Sequence, residues 1–150
     1  MSTALPQEMQ QHTYAIMDRV EDSHWWFVGR RAILESFMRE ICSKLQAPDA
    51  GFRILDVGCG TGANLEMLSA FGDAEGVDVS DDALEFCRRK GLTVEKGLAE
   101  KLPYEEGTFD ITTALDVVEH LDDDIAGLKE MLRVTKPGGY SLIFVPAFMW

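Results

Sequence analysis

Two aspartates and a glycine-rich segment are the residues of this chain best suited to bind a small molecule. Asp56 stands two residues before the segment Gly58-Cys59-Gly60-Thr61-Gly62, and Asp78 lies 20 residues after its first glycine. Glycine tolerates positive φ angles and lets the backbone approach a ligand closely. An acidic residue at this distance from a glycine loop commonly accepts hydrogen bonds from an adenosine ribose. The spacing therefore predicts a ligand that contains adenosine.

The charge of Asp56 bears on which adenosine compound is bound. Gly58–Ala63 also matches the glycine pattern of dinucleotide-binding proteins, so the glycines alone do not choose the ligand. A carboxylate at Asp56 would repel a pyrophosphate, but it would attract an ammonium or a sulfonium group. The alternative is that Asp56 hydrogen-bonds to the loop backbone and has a structural role. The two roles are compatible.

His120 is the candidate general base. It follows Glu119 in the segment after an expected strand. A base is needed only if the molecule that reacts with the bound ligand must lose a proton. The alternative is that His120 packs or caps at the start of the next helix. His24 is a weaker candidate for the same role, and Tyr14 and Tyr104 are candidate pocket residues.

The cysteines do not indicate a metal site or a disulfide. Cys42, Cys59 and Cys87 are odd in number and far apart, and no Cys-x-x-Cys pair is present. Reduced thiols are typical of cytoplasmic proteins. We therefore expect no bound metal and a cytoplasmic location.

The hydrophobic pattern indicates strands alternating with helices, which implies right-handed crossovers and a doubly wound, Rossmann-like parallel sheet between two helical layers. Ligands of such sheets bind beyond the carboxyl ends of the strands, where the glycine loop lies. Strands are expected at 53–57, 74–79, 92–96, 109–115 and 140–145. Four helices are expected after Pro6 through Met9 to Val20, over 33–45, after the glycine loop, and from Ser80 to Lys90. A fifth helix is expected from Asp122, with Ile125, Leu128 and Leu132 facing inward, and Pro137-Gly138-Gly139 should end it.

The chain is expected to form a single domain with an N-terminal helical segment over 1–48 and a ligand-binding core over 49–150. The aromatic cluster Trp25-Trp26-Phe27 connects the two N-terminal helices. It either anchors these helices on the sheet as part of the core or forms a lid over the site, and we favour the first interpretation.

Charge and hydropathy exclude several classes of partner. The net charge of −12 opposes binding to nucleic acid or to an anionic membrane surface. The consecutive cations Arg88, Arg89 and Lys90 are better explained as the end of a helix, where they complement its dipole. Residues 1–11 lack the apolar region of a signal peptide, and no apolar run is long enough to span a membrane.

Beyond these patterns, six short blocks in a fixed order resemble one protein family. The chain is similar to class I S-adenosylmethionine-dependent methyltransferases acting on small molecules. The blocks that carry the resemblance are 54–62, 76–80, 99–104, 108–111, 117–121 and 132–139. His24-Trp25-Trp26-Phe27 followed by Arg30-Arg31 also resembles the lead-in of one subgroup.

The resemblance implies S-adenosylmethionine as cofactor, with S-adenosylhomocysteine as its product. Asp56 and the loop residues Gly58, Cys59, Gly60 and Gly62 would hold the methionine end. Asp78 would bind both ribose hydroxyls, Val79 would pack on the adenine face, Ala99 and Glu100 would contact the adenine edge, and Leu115 and Asp116 would line the floor. Leu98 stands where the family usually has an acidic residue that accepts from the adenine amine, which puts adenine affinity in doubt.

The resemblance also implies direct transfer of the methyl group to an unidentified small acceptor, chiefly by alignment of the reacting atoms. The family fold has seven strands and this sequence supplies five, so the chain is expected to be truncated after the fifth strand, which puts the enzymatic activity of this form in doubt. An uncovered strand edge predicts self-association. The alternatives are a non-catalytic S-adenosylmethionine-binding or assembly module and, less favoured, an NAD-dependent oxidoreductase.

Overall fold

The computed structural model describes residues 11–146. Pro6 and Met9, at the expected start of the first helix, and residues 147–150 lie outside this range. The helices are α1 (Gln11–Val20), α2 (Trp25–Lys44), α3 (Ala63–Leu68), α4 (Asp81–Arg89) and α5 (Asp124–Val134), with a short 3-10 helix at Val118–His120. The strands are β1 (Phe52–Val57), β2 (Gly72–Asp78), β3 (Thr93–Lys96), β4 (Phe109–Leu115) and β5 (Thr135–Phe144).

These strands form one parallel sheet in the order β3-β2-β1-β4-β5. The chain moves outward from β1 to β3 and then returns to the other side of β1 with β4. The strand order therefore reverses between β1 and β4, and ligands of doubly wound sheets bind in the crevice at such a point. The sheet and its flanking helices confirm the expected fold class.

Apolar side chains cover both faces of the sheet. Successive residues of β1 point to opposite faces, so Ile54 packs with the residues of α2, α3 and α4, while Leu55 packs with those of α5. All of β1 except Arg53 is buried, and all of β4 except Asp110 is buried. This pattern is typical of the central strands of a parallel sheet with helices on both sides.

Helix α4 confirms the signals that predicted it. The Ser80 hydroxyl accepts a hydrogen bond from the Ala83 amide at 3.4 Å, as an N-cap does. The helix turns its buried face, which includes Leu84 and Cys87, toward the sheet. It ends before Gly91, whose φ of 75° allows the chain to reverse.

The expected inner face of α5 is wrong. Ile125 and Leu132 are exposed, Leu132 by 68%, and Leu128 is half-buried, whereas the helix buries Gly127, Met131 and Val134. The termination by Pro137-Gly138-Gly139 is also wrong, because the helix ends at Val134 and strand β5 already includes these residues.

The interpretation of Trp25 and Trp26 as core anchors is wrong as well. Helix α2 begins at Trp25, and the two indoles are exposed by 75% and 52%. Between residues 11 and 146, no helix combines the length and the hydropathy needed to cross a membrane.

Candidate functional site

The most deeply buried carboxyl group at the carboxyl edge of the sheet belongs to Asp56. Only 1% of this residue is exposed. The Thr113 hydroxyl, on the neighbouring strand β4, donates a hydrogen bond to Asp56 Oδ1 at 2.7 Å. Burial raises the pKa of Asp56 to about 7, although the hydrogen bond from Thr113 opposes this rise. A cation placed beside Asp56 would favour the ionised form of its carboxyl group.

The backbone amides of the glycine loop are already bonded within the chain. Gly58 and Cys59 both donate to the Val77 carbonyl, at 2.7 and 3.1 Å. Gly60 donates to Asp78 Oδ2 at 2.9 Å. These three bonds hold the loop against the end of β2.

The glycines of the loop differ in their surroundings. A Cβ atom at Gly58 would lie 2.5 Å from Val117 Cγ2, and one at Gly62 would lie 3.0 Å from the Cys87 sulfur. At Gly60, by contrast, a Cβ would meet no atom within 4 Å. The open side of the loop is thus at Gly60, whereas Gly62 packs toward α4.

Asp78 holds the loop against the end of β2. Its Oδ2 accepts from Gly60 and its Oδ1 accepts from the Ser80 amide, both at 2.9 Å. A carboxylate has about four lone-pair positions, so acceptor capacity remains for ligand hydroxyls. Asp78 and the adjacent Val79 are half-buried and lie beside the open side of the loop.

The segment after β3 and the end of β4 supply the other expected site residues. Ala99 is buried and Glu100 is half-buried, while Leu98 is 47% exposed. Leu115 is buried at the end of β4. Asp116 follows it with a φ of 59°, a left-handed conformation that is uncommon outside glycine.

The sequence predicts no role for Arg30 beyond the resemblance of the Arg30-Arg31 pair to one subgroup, yet its side chain reaches the same edge of the sheet. Arg30 lies on α2 and is only 9% exposed. Its Nη1 forms an ion pair with Asp116, and its Nη2 donates to Asn64 Oδ1 at 3.4 Å. Burial lowers the pKa of the Arg30 guanidinium, and the neighbouring carboxylates of Glu21 and Asp56 oppose this effect.

Glu21, in the turn between α1 and α2, ties the N-terminal helices to the glycine loop. Its carboxylate is buried and accepts a hydrogen bond from the Thr61 hydroxyl at 2.5 Å. Its backbone carbonyl accepts from the Arg31 guanidinium. A second link is the ion pair between Asp18 on α1 and Lys90 at the end of α4, at 2.9 Å. The Arg30-Arg31 pair after the aromatic cluster was the only sequence signal for these links between the N-terminal helices and the rest of the chain.

The two candidate histidines have different surroundings. His120 ends the 3-10 helix and is exposed, so its ring is open to an acceptor but has no neighbour that orients it among the contacts described. The preceding Glu119 has a buried Oε2 without a hydrogen-bond partner in the described part of the chain. His24 is the N-cap of α2, where its Nδ1 accepts from the Trp26 amide at 3.3 Å.

The candidate pocket tyrosines are both engaged in packing. Tyr14 is buried on α1. Tyr104 meets Phe109 edge to face at a centroid distance of 5.0 Å, and burial raises the pKa of its hydroxyl. Within residues 11–146, no group of three or more His, Cys, Asp or Glu side chains is arranged to hold a metal ion.

Comparison with known proteins identifies the family. Residues 55–143 match the family model described as "Methyltransferase domain", which is more than half of the chain. The chain belongs to the class I S-adenosylmethionine-dependent methyltransferases. Its cofactor is S-adenosylmethionine. The buried carboxyl of Asp56 and the open side of Gly60 fit this ligand, which carries an ammonium and a sulfonium beside its adenosine.

Two curated relatives and one solved structure illustrate the similarity. The chain is 40% identical over 101 residues to the ubiquinone biosynthesis O-methyltransferase of Methylococcus capsulatus, covering 60% of this chain. It is 37% identical over 98 residues to the demethylmenaquinone methyltransferase of Staphylococcus aureus, covering 59% of this chain. The chain spans 41% of the length of each of these relatives.

The solved structure is an S-adenosylmethionine-dependent methyltransferase of Thermotoga maritima, described as a possible histamine N-methyltransferase. It superimposes with a TM-score of 0.61 at 30% identity, covering 87% of this chain and 60% of that one. The similarity therefore includes the N-terminal part of the chain as well as the sheet.

Proposed function

We propose that this chain is the cofactor-binding part of a methyltransferase that transfers the methyl group of S-adenosylmethionine to a small-molecule acceptor. The observation that carries the proposal is the buried carboxyl of Asp56 beside the glycine loop. A carboxylate there favours a cationic amino acid group over a pyrophosphate, which it would repel. Since the chain spans two fifths of its curated relatives, the activity is proposed for the whole protein.

Bound S-adenosylmethionine supplies a methyl group on a sulfonium that is already activated for displacement. The residues of this chain then have to bind and orient the reactants, which is catalysis by proximity. Asp56 would bind the ammonium group, and Asp78 would fix the ribose through its free acceptor positions. Gly60 would let the backbone approach, and Val79, Ala99 and Glu100 would surround the adenine.

The acceptor is proposed to be a small molecule with a nucleophilic hydroxyl or carbon, of the kind that the names of the two quinone-pathway relatives indicate. An acceptor hydroxyl must lose its proton during transfer, and the exposed His120 is the proposed base. A His120→Gln variant should then lower kcat with little change in KM for S-adenosylmethionine.

Titration calorimetry with S-adenosylmethionine, S-adenosylhomocysteine and NAD tests the cofactor proposal. The two sulfur compounds should bind and NAD should not. Asp78→Ala should weaken both by about tenfold or more, because it removes hydrogen bonds from a charged acceptor. Asp73→Ala is the matched control, since Asp73 is exposed at the opposite end of the same strand. Tight binding of NAD, or equal effects of the two substitutions, would refute the proposal.

A second candidate is a non-catalytic S-adenosylmethionine-binding or assembly module. The exposure of His120, which has no orienting neighbour among the contacts described, favours this second candidate. Methyl transfer from labelled S-adenosylmethionine to quinone-precursor phenols would decide between the two functions, because a module would bind the cofactor without forming labelled product.

Self-association is proposed through β5, which is an edge strand of the described sheet and exposes Ile143 near its end, with Val145 exposed directly after it. Light scattering after size exclusion should show a dimer whose fraction rises with concentration, and a monomer at every concentration would contradict this.

A cytoplasmic location is proposed because the three cysteines are free thiols. The division between the N-terminal segment and the core at residue 48 is proposed because α2 ends at Lys44.

A further inference from the structure

Residues 97–104 form a loop whose two ends meet beside Asp78. The Gly97 amide donates a hydrogen bond to the Asp78 carbonyl at 3.0 Å. A Cβ atom at Gly97 would lie 2.8 Å from Pro103 Cδ, so the end of the loop folds back on its start. Loop 97–104 is therefore attached to the residue that is proposed to bind the ribose, and it contains two of the residues proposed to surround the adenine.

Two charged side chains of α5 hold the far end of this loop. The Glu130 carboxylate accepts a hydrogen bond from the Leu102 amide at 2.8 Å. The Arg133 guanidinium donates to the Tyr104 carbonyl at 2.8 Å and to the Leu102 carbonyl at 3.2 Å. Arg133 also donates one hydrogen bond of 2.7 Å to each carboxylate oxygen of Glu130, so the ion pair is bidentate. Helix α5 thus fixes the backbone of the loop at both the amide and the carbonyl of Leu102.

The Glu130–Arg133 pair differs from an ordinary ion pair on a helix surface. The Glu85–Arg89 pair of α4, for comparison, joins two side chains of one helix that are both more than half exposed. Glu130 and Arg133 are 20% and 35% exposed, and their hydrogen bonds reach backbone groups 28 to 31 residues earlier in the chain. Exposed ion pairs stabilise a helix little, so the main structural effect of this pair is on loop 97–104.

The side chain of Leu98 makes the backbone geometry of this loop important for adenine. Leu98 is apolar and stands where an acidic residue is usual in the family, so no carboxylate at this position accepts from the adenine amino group. Main-chain groups of the loop remain to distinguish the base. The Lys101 amide donates to the Leu98 carbonyl at 3.1 Å, which holds residues 98–101 in a tight turn. Groups that are fixed before a ligand arrives bind it without a loss of loop entropy.

We propose that Glu130 and Arg133 are positioning residues for adenine, because they hold the main-chain groups of residues 98–101 in the arrangement that recognises the amino group of the base. The inference rests on the proposed function, since it assumes that S-adenosylmethionine binds at this edge of the sheet. The two side chains act through loop 97–104 and need not touch the ligand. Selectivity for adenine is then set in part by α5, although the base binds to the segment after β3.

Calorimetry with two ligands tests this assignment. S-adenosylhomocysteine carries the adenine amino group, whereas S-inosylhomocysteine has a carbonyl oxygen in its place and a proton on the adjacent ring nitrogen. The wild-type chain should bind the first ligand about tenfold more tightly, because a group that accepts from the amino group would meet another acceptor in the second. The variants Glu130→Gln and Arg133→Lys disrupt the network, since Gln has one acceptor oxygen and Lys lacks the planar fork. Each should reduce the preference to about threefold or less.

The ratio of the two affinities separates positioning from stability. Partial unfolding would lower the apparent affinity for both ligands by the same factor and would leave the ratio unchanged. Arg89→Lys is the matched control, because it alters an ion pair that lies within one exposed helix face, and it should keep the wild-type ratio. If Glu130→Gln and Arg133→Lys also keep the wild-type ratio, the pair has a structural role alone and the proposal is overturned.

Hydrogen exchange on the wild-type chain decides if neither variant folds, as judged by circular dichroism. The Leu102 amide should be protected without ligand, because the network fixes it before the base arrives. Exchange as fast as that of an unstructured amide would overturn the proposal. Equal wild-type affinities for the two ligands would overturn it as well and leave the proposed function standing, whereas binding of neither ligand would refute both.

Discussion

The β1–β2 region, residues 52–80, and the N-terminal helices, residues 11–44, bring charged groups to the same crevice by different means. In the first region Asp56 and Asp78 end adjacent parallel strands, so the register of the sheet fixes their positions. In the second, long side chains reach the crevice from α2 and the turn before it, and Arg30 bonds to partners that are 34 or more residues away. The comparison teaches that the register of the sheet positions Asp56 and Asp78, whereas tertiary contacts of the N-terminal helices position Glu21 and Arg30.

Neutralising Asp56 should have the largest effect on cofactor affinity of the substitutions considered. Asp56→Asn keeps the shape of the side chain and an acceptor for Thr113, but it removes the charge that would bind the ammonium. Affinity for S-adenosylmethionine should fall by about a hundredfold, as expected when a buried charge-assisted contact is lost. The measurement is titration calorimetry at pH 8.

Asp110→Asn is the control for this substitution. Asp110 lies near the opposite end of β4, where it accepts from the Arg53 amide at 2.8 Å and pairs with Lys136 at 2.9 Å. Its neutralisation should leave cofactor affinity unchanged. If Asp56→Asn bound the cofactor as tightly as wild type, the buried carboxyl would have only a structural role.

A second substitution tests the hydrogen bond that joins the two regions, between Thr61 of the glycine loop and Glu21 before α2. Thr61→Val removes the donor to Glu21 and leaves a buried carboxylate unpaired, which should lower the free energy of unfolding by about 1–3 kcal/mol. Urea denaturation followed by circular dichroism measures the change. Thr61→Ser should restore stability because it restores the hydroxyl, and Thr93→Val on the exposed face of β3 should have little effect. An unchanged midpoint for Thr61→Val would show that the link contributes nothing.

The raised pKa of Asp56 should make the free energy of unfolding depend on pH. The pKa of Asp56 is about 7 in the folded chain against an ordinary value of 3.8. The folded state therefore holds a proton that the unfolded state has released, so Asp56 lowers stability as pH rises from about 4 to 7, by at most about 1.4 kcal/mol per pH unit.

The measurement is the difference in unfolding free energy between the wild type and Asp56→Asn over this pH window. The difference should grow in favour of the variant as pH rises and level off above pH 7. Affinity for S-adenosylmethionine should rise over the same window, since the ammonium needs the ionised carboxylate. A flat difference curve would place the pKa of Asp56 near its ordinary value.

Local signals in the sequence predicted the sheet and its loop well. β4 has the bounds that its apolar run predicted, Ser80 caps α4, and Gly91 ends it. Each of these features depends on a few adjacent residues: a buried strand needs a short apolar run, and a helix end needs a cap and a glycine. The roles expected for Asp56, Asp78 and the residues that follow β3 remain predictions, although the structure gathers these groups along one edge of the sheet.

Features that depend on distant contacts were not predictable. Ile125 and Leu132 share a helical stripe, but periodicity does not say which stripe faces the sheet. The structure buries Gly127, Met131 and Val134 against the rest of the chain, and a Cβ at Gly127 would lie only 2.4 Å from Leu121 Cδ1. Arg30 was missed for the same reason, because its partners are remote in sequence.

The unequal charge around Arg30 has a consequence for turnover. Glu21, Asp56, Asp116 and Glu119 surround this single buried guanidinium, so the crevice carries more negative than positive charge. Under the proposed function, methyl transfer converts a ligand with one net positive charge into a neutral one. The electrostatic attraction between the crevice and its ligand would therefore be weaker for S-adenosylhomocysteine than for S-adenosylmethionine.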